Sequence, residues 1–495
     1  MSYPAFCPLP EAAGARIRRS APEFGTARGR AGSVGAPSAG ATCETCRVNV
    51  ERPAGAGVEI PGDERARAQV DLEAIRANVR TLRARASSAG LMAVVKADAY
   101  GHGMVPCARA AREAGASWLG VATPQEAFAL RAAGDAGPLL CWLWTPGGPW
   151  RRAIEEDVDV SVSGGWALAE ARAAAREAGR TARVHLKADT GLGRNGCQPA
   201  DWPRLVREAR AAEAEGTVRV AGIWSHFACA DEPGHPSIAP QLDAFREALD
   251  VAERAGVHPE VRHLANSPAT LTLPESHFDL VRPGVSVYGL SPSPEVGTAA
   301  EWGLRPAMTL AASLALVKRV PVDQGVSYGH HYRTQRETAL ALVPLGYADG
   351  VPRHASGRGP VLVGGERGTV AGRVAMDQFV VDLGPEGDRR VREGDPVVLF
   401  GPGDSGEPTA EEWARAAETI GYEIVTRIGA RVPRVYVGVH ERTPEHRYGA
   451  RAAADLAEVR PAREEQGQAG ARRREFGEGH AGIGSPGDRA RAAGQ

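Results

Sequence analysis

Between residues 66 and 440, short apolar runs alternate with amphipathic stretches in a regular order. In the first amphipathic stretch Leu72, Ile75, Val79 and Leu82 recur three or four positions apart, which predicts a helix with one apolar face over 72–86. Brief aliphatic or β-branched runs at 92–95, 119–122, 139–143, 158–162, 183–187, 220–225, 261–264 and 279–281 predict eight strands, with seven helical stretches between them. Strands that alternate with helices make an α/β domain whose sheet is parallel. Eight such strands, each closed by polar or small residues rather than a glycine-rich ligand loop, predict a (β/α)8 TIM-type barrel over 66–305.

From about residue 306 the pattern changes to short runs at 311–317, 339–343, 361–363, 378–381 and 396–399, separated by Gly, Pro and Asp turns. A mostly-β C-terminal domain over 306–440 follows, interrupted by one helix over 409–420 that Thr409-Ala410-Glu411-Glu412 opens as a capping box. The run at 68–70 is apolar enough to be a strand that pairs with this second domain. Residues 1–65 and 441–495 are rich in Ala, Gly, Arg, Pro and Ser without any period, and are expected to be disordered.

Composition narrows the class. With 43% hydrophobic residues and a net charge of −1, the chain lacks the basic face that nucleic acid or an anionic membrane would require. Its one dense basic run, Arg472-Arg473-Arg474, lies in the polar C-terminal tail and reads as solvated. No apolar stretch approaches the roughly 20 residues of a membrane span or the core of a secretory signal, so a cytoplasmic location is expected. Seven scattered cysteines do not form a disulfide framework, and Cys43-Glu-Thr-Cys46 is half a zinc site with no second pair, so no metal is expected.

Candidate chemistry gathers at strand ends, where a barrel carries its active groups. Residues 94–103 read Val-Val-Lys-Ala-Asp-Ala-Tyr-Gly-His-Gly, placing Lys96 at the end of a buried run. Such a lysine either snorkels out to water or, desolvated, becomes a free amine able to form a Schiff base. The stretch 183–196 puts Lys187 on a strand and Arg194 in a glycine-broken loop, a planar donor suited to a carboxylate or phenolate oxygen. His226 follows the run at 220–225, and is equally compatible with a satisfied core histidine. Asn266-Ser267 and Arg282-Pro283-Gly284 close the last two strands, where free backbone N–H groups could cradle a phosphate or merely cap helices.

Together with Ser327-Tyr328-Gly329, Gly346-Tyr347-Ala348-Asp349-Gly350 and Gly372-Arg373-Val374-Ala375-Met376-Asp377-Gln378, these motifs resemble the alanine racemases, over about residues 66 to 438 in unbroken order. The resemblance implies a pyridoxal 5′-phosphate enzyme that interconverts L- and D-alanine through an external aldimine, supplying D-alanine for peptidoglycan. Lys96 then carries the cofactor, Tyr100, Ser267, Gly284, Val285 and Tyr422 match positions around its phosphate, and Arg282, bonded to His226, matches the residue facing its pyridine nitrogen. An arginine cannot give that nitrogen a proton, which discourages a long-lived carbanion. Racemisation needs a base on each face of the α-carbon, and Lys96 and Tyr328 match that pair.

By the same resemblance Arg194 contacts cofactor and substrate carboxylate, Met376 contacts that carboxylate through its backbone, and Lys187 matches a lysine that is carbamylated in many members. Tyr347, Tyr422, Asp231, Arg353 and Arg373 match a narrow entrance that favours a side chain as small as methyl. Tyr328 and Met376 would enter from a second copy, making a homodimer with shared sites. Departures are small: Ala375 stands where many members have cysteine, and both tails pass the family's usual ends, as a translation start near residue 60 would explain for the first. A racemase of broader range, taking serine or lysine, would need a wider entrance, and a non-catalytic cofactor carrier would have no use for Tyr328 and Met376.

Overall fold

In the computed structural model, which describes residues 60–62 and 64–439, strand β1 (Ala66–Asp71) runs directly into a helix over Leu72–Arg85. The change of state is local chemistry: the Asp71 carboxylate accepts from the backbone N–H groups of Glu73 and Ala74 and so caps the helix. Ile75, Val79 and Leu82 then form its fully buried face, as their spacing predicts. Most of both segments expected to be disordered, with Cys43, Cys46 and the run 472–474, lies outside the described residues. At the inner edge of the first segment, Ile60 packs on Ala311, Leu362 and Val398, and Arg65 forms an ion pair with the buried carboxylate of Asp349.

The eight predicted barrel strands are present as β2 (Gly90–Val94), β3 (Trp118–Val121), β4 (Leu139–Cys141), β5 (Asp159–Val162), β6 (Ala182–Lys187), β7 (Val218–Trp224), β8 (Val261–His263) and β9 (Leu280–Val281). They pair in parallel in the order β8-β7-β6-β5-β4-β3-β2-β9. The seam between β8 and β9 is bridged by Asp279 N–H to Arg262 O (3.1 Å) and Arg282 N–H to Ala265 O (2.9 Å), leaving a nearly closed barrel. Every residue of β3 and β5 is buried, as strands covered by helices on one side and barrel filling on the other must be.

The C-terminal part is mostly β: β10 (Met308–Ser313), β11 (Leu316–Val320), β12 (Gly325–Val326), β13 (Tyr332–Arg333), β14 (Thr338–Val343), β15 (Pro360–Val363), β16 (Glu366–Thr369), β17 (Phe379–Gly384), β18 (Pro396–Phe400) and β19 (Arg434–Val437). One sheet has the order β16-β15-β18-β10-β1-β19, with β1 antiparallel to β10 and parallel to β19, so the 68–70 run does pair with this domain. Two expectations are corrected. The run 311–317 is not one strand, because the chain leaves one sheet at Ser313 and enters another at Leu316, bonding Leu314 N–H to Asp395 O and Ala315 N–H to Leu342 O on the way. The helix expected over 409–420 keeps its Thr409–Glu412 capping box but ends at Ala416, since Glu418 turns left-handed at φ 53° before a second helix, Gly421–Thr426, begins.

Candidate active site

At the C-terminal end of β2 the backbone does something its composition conceals. Ala97, Asp98, Ala99 and Tyr100 have φ of 52°, 52°, 55° and 54°, a left-handed turn made of non-glycine residues and closed by Gly101 at 81°. Each costs roughly 1–2 kcal/mol relative to a right-handed residue, so four in succession must be held by their surroundings. Asp98 accepts from Met104 N–H (2.7 Å), Arg434 Nε donates to Gly101 O (3.0 Å), and Glu126 accepts from Ala97 N–H (2.6 Å). The turn throws Lys96 to the barrel mouth and swings Tyr100 back beneath it, with the lysine nitrogen 5.9 Å from the tyrosine ring centroid. Burial, then Arg194, lowers the pKa of Lys96, opposed by Glu126.

Tyr100 leads to a small polar nest. Its hydroxyl lies so close to Gly284 that a Cβ there would fall 2.2 Å from the oxygen, so the position needs glycine for space. Gly284 N–H donates to the Ser267 hydroxyl (2.8 Å), Ser267 begins a short helix that Asn266 caps, and Val285 begins the next buried turn. Tyr422, from the helix the sequence did not separate, places its ring 6.2 Å from that of Tyr100. Tyr100, Ser267, Gly284, Val285 and Tyr422 thus share one side of the mouth.

Cations crowd the other side. Lys187, buried at the end of β6, has its nitrogen 4.2 Å from the Trp224 ring centroid, and its pKa is pushed down to about 7 by burial and then by Arg282 and Arg194. Arg194 stands exposed on a loop that Asp189 shapes by accepting from Gly191 and Gly193 N–H. Arg282 is buried and makes no ion pair among the described residues; burial lowers its pKa to about 9, still above neutrality. It donates to Ser225 O (2.8 Å) and Leu264 O (3.2 Å), and meets His226 Nδ1 at 3.3 Å and His263 Nδ1 at 3.1 Å.

Behind Arg282 runs a buried relay. His263 Nε2 lies 2.9 Å from His185 Nδ1, and His185 Nε2 lies 3.1 Å from Asp159 Oδ2, whose other oxygen accepts from Arg183. Because the guanidinium can only donate, the bonding assigns His263 an accepting Nδ1 and a protonated Nε2, and His185 the same. Burial, with Arg282 beside it, keeps His263 well below the ordinary histidine pKa, and burial and then Arg282 do the same for His226. Gly222 makes room for this chain, since a Cβ there would fall 2.2 Å from His185 Nδ1.

Tyr328, Met376, Tyr347, Arg353 and Arg373 form a separate patch on the β domain. Tyr328 follows Ser327, whose hydroxyl donates to Arg373 O (2.7 Å); Tyr347 and Ala348 N–H donate to Ala375 O and Met376 O. Arg353 O accepts from the Ser356 hydroxyl, which itself accepts from Val374 N–H. Tyr328 is 70% exposed and Met376 53% exposed, and among the described residues no hydrogen bond or ion pair joins either to the mouth. The entrance set is divided: Asp231 is exposed on the barrel side, where its charge faces Tyr422.

The family model for the alanine racemase N-terminal domain matches residues 70–292, and that for the C-terminal domain matches 307–436. The chain belongs to the alanine racemase family. It is 71% identical over 378 residues to the alanine racemase of Streptomyces coelicolor, covering 75% of this chain and 96% of that protein. To the alanine racemase of Thermobifida fusca it is 57% identical over 373 residues, covering 75% and 98%. The crystal structure of alanine racemase from D-cycloserine-producing Streptomyces lavendulae superposes with a TM-score of 0.76 at 71% identity, over 77% of this chain and 99% of that one. Its activity is therefore that of an alanine racemase, the interconversion of L- and D-alanine.

Within this alanine racemase fold, the sequence motifs found the strand-end residues but missed Glu126, Asp159, His185 and His263. One signal was available: Arg183, His185 and Lys187 alternate along β6 and share a face, an unusual polar stripe for a buried strand. Glu126 offered only a capping-box pattern with Thr123, which the structure also contains.

Proposed function

We propose that the chain racemises alanine with pyridoxal 5′-phosphate held at the barrel mouth, using Lys96 and Tyr328 as bases on opposite faces of the α-carbon. The observation that carries this reading is the convergence of Lys96, Lys187, Arg194 and Arg282 around one opening, with Arg282 buried yet without a carboxylate partner among the described residues. Such a set fits a ligand bearing several anionic oxygens and a ring nitrogen that accepts a hydrogen bond. Ser267, Gly284 and Val285 with Tyr100 and Tyr422 would hold the phosphate, Arg282 would face the ring nitrogen, and Lys96 would hold the aldehyde carbon covalently. When bound, the cofactor supplies an electron-withdrawing ring conjugated to the amino acid, which acidifies the Cα–H bond.

Lys96, its basicity moderated by burial and Arg194, takes or returns the proton on one face. Arg194 orients the alanine carboxylate, and the backbone at Met376 adds a contact to it. Lys187, with a pKa of about 7, has a sizeable free-amine fraction at neutral pH; its nitrogen can bond to the carbon of carbon dioxide and release one N–H proton to solvent, leaving an anionic carbamate that steadies Arg194. The relay from Asp159 through His185 and His263 keeps Arg282 a fixed donor. Tyr328 and Met376 serve the mouth of a second copy, which accounts for their exposure, so the working unit is a two-fold homodimer. The entrance formed with Tyr347, Asp231, Arg353 and Arg373 limits substrates to small side chains, and D-alanine for peptidoglycan is the product of use.

The test is complementation. Lys96→Ala and Tyr328→Phe proteins, each nearly inactive alone, are unfolded together, refolded and assayed by polarimetry. Shared sites predict recovery to about a quarter of wild-type activity, because about half the dimers are mixed and each mixed dimer has one intact site. No recovery, with mixed dimers demonstrated by mass spectrometry, would refute the shared-site reading.

A further inference from the structure

Glu126 sits in the first turn of the helix over Pro124–Ala132, and its carboxylate does more than cap that helix. One oxygen accepts from Ala122 N–H (2.9 Å) and Thr123 N–H (3.0 Å), and the other reaches across to the neighbouring strand end and accepts from Ala97 N–H (2.6 Å). Ala97 is the first residue of the left-handed turn and follows Lys96 directly. Further along, the turn is held by its own bonds, Gly101 N–H to Ala97 O and Gly103 N–H to Asp98 O, and by Arg434 on Gly101 O. At its beginning, where an L residue first enters the unfavourable region, the bond to Glu126 is the hydrogen bond made by the Ala97 amide.

We infer that Glu126 is a positioning residue for catalysis: its carboxylate bridges the ends of β2 and β3, fixes the first left-handed residue, and thereby sets the direction in which Lys96 leaves the backbone. The inference rests on the reading of Lys96 as the cofactor lysine and adds a residue to it. The charge of Glu126 also acts on Lys96, raising its pKa against burial and Arg194. A neutral amide at position 126 keeps one acceptor oxygen but cannot serve both strand ends and carries no charge. The lysine of such a variant is present and chemically competent but misdirected, and small misplacements of reacting groups are expensive in rate.

The experiment compares wild-type holoenzyme with Glu126→Gln, Glu126→Asp and Lys96→Ala. For Glu126→Gln the expected result is a fall in kcat of about tenfold with KM for alanine within about twofold, and a weaker visible circular dichroism per bound cofactor at unchanged cofactor content. Glu126→Asp, with the charge kept on a shorter arm, should fall between. A normal kcat per folded site accompanied only by a lower Tm would overturn the inference, since a cap alone would do that. If the variants fold poorly, amide exchange on the wild-type protein decides. An Ala97 amide as protected as that of Val95 supports the clamp, and one exchanging like an open loop overturns it. A racemising Lys96→Ala variant would overturn the lysine assignment and the clamp together, whereas an inert Lys96→Ala beside an unaltered Glu126→Gln would overturn the clamp alone.

Discussion

The barrel mouth and the Tyr328 patch of the β domain, which we propose bear the two halves of one chemistry, are built in opposite ways. At the mouth, Lys187 and Arg282 are buried, and Arg282 is held by two carbonyl groups and two histidines. On the β domain, Tyr328 and Met376 stand open to solvent, and the order there lies in bonds that fix the backbone, from the Ser327 hydroxyl to Arg373 O and from Tyr347 N–H to Ala375 O. A buried half-site is pre-organised by its own chain. In the proposed dimer, an exposed one with an ordered backbone would act as a template that presents a side chain to the second copy without further folding. The asymmetry suits the proposed chemistry, because the group that must be covalently linked needs a dry fixed cradle, and the opposite base needs only a reproducible position.

Perturbing each half should therefore give different signatures. The largest effect is expected from Lys96→Ala, which should lower racemisation in both directions by about 10³-fold or more and remove the absorbance of the lysine-bound cofactor. Full activity in that variant would remove the barrel mouth from the mechanism. Next, Tyr328→Phe should cost about 10²-fold, with unequal losses for the two enantiomers in single-turnover deuterium exchange and an unchanged cofactor spectrum. Equal losses would mean that the exposed half does not serve a single face.

A smaller effect, on stability, sharpens what burial does at the mouth. Lys187 has a folded pKa of about 7 against an ordinary 10.5, so between those values the unfolded chain binds the extra proton. Stability contributed through this group consequently rises with pH from about 7 to about 10.5, and the penalty is fully present below about 7. In carbon dioxide-free buffer, Lys187→Met should stabilise the protein at pH 6 by several kcal/mol, on the order of 4. The gain should fade towards pH 10, as followed by urea denaturation at each pH. A gain independent of pH would point to packing rather than to the buried charge.

What the sequence made legible follows the same division. The barrel strands announced themselves because parallel strands buried on both faces are continuous apolar runs, and Lys96, His226, Ser267 and Arg282 were found by their position just beyond such runs. The left-handed turn was not legible, because Ala-Asp-Ala-Tyr has the composition of an ordinary helix and only tertiary bonds reverse its hand. The relay was hidden for a related reason: Asp159, His185 and His263 look like solvent-facing polar residues until the barrel closes and turns them inward. The split between β10 and β11 escaped the apolar pattern, since a chain that crosses between two sheets stays hydrophobic on both sides. Tyr328 is the extreme case, for its motif was recognisable while its neighbours belong to another copy in the proposed assembly.

The pairing of β1 has a consequence for how the chain is made. β1 is the first described strand to leave the ribosome, but its partners are β10, which begins the second domain, and β19, which ends the described chain. The barrel can take shape during synthesis while β1 waits as an unpaired edge, and the six-stranded sheet closes only once Arg434–Val437 have emerged. A gene cut between the two domains would therefore yield a barrel with an orphaned strand rather than a free-standing half.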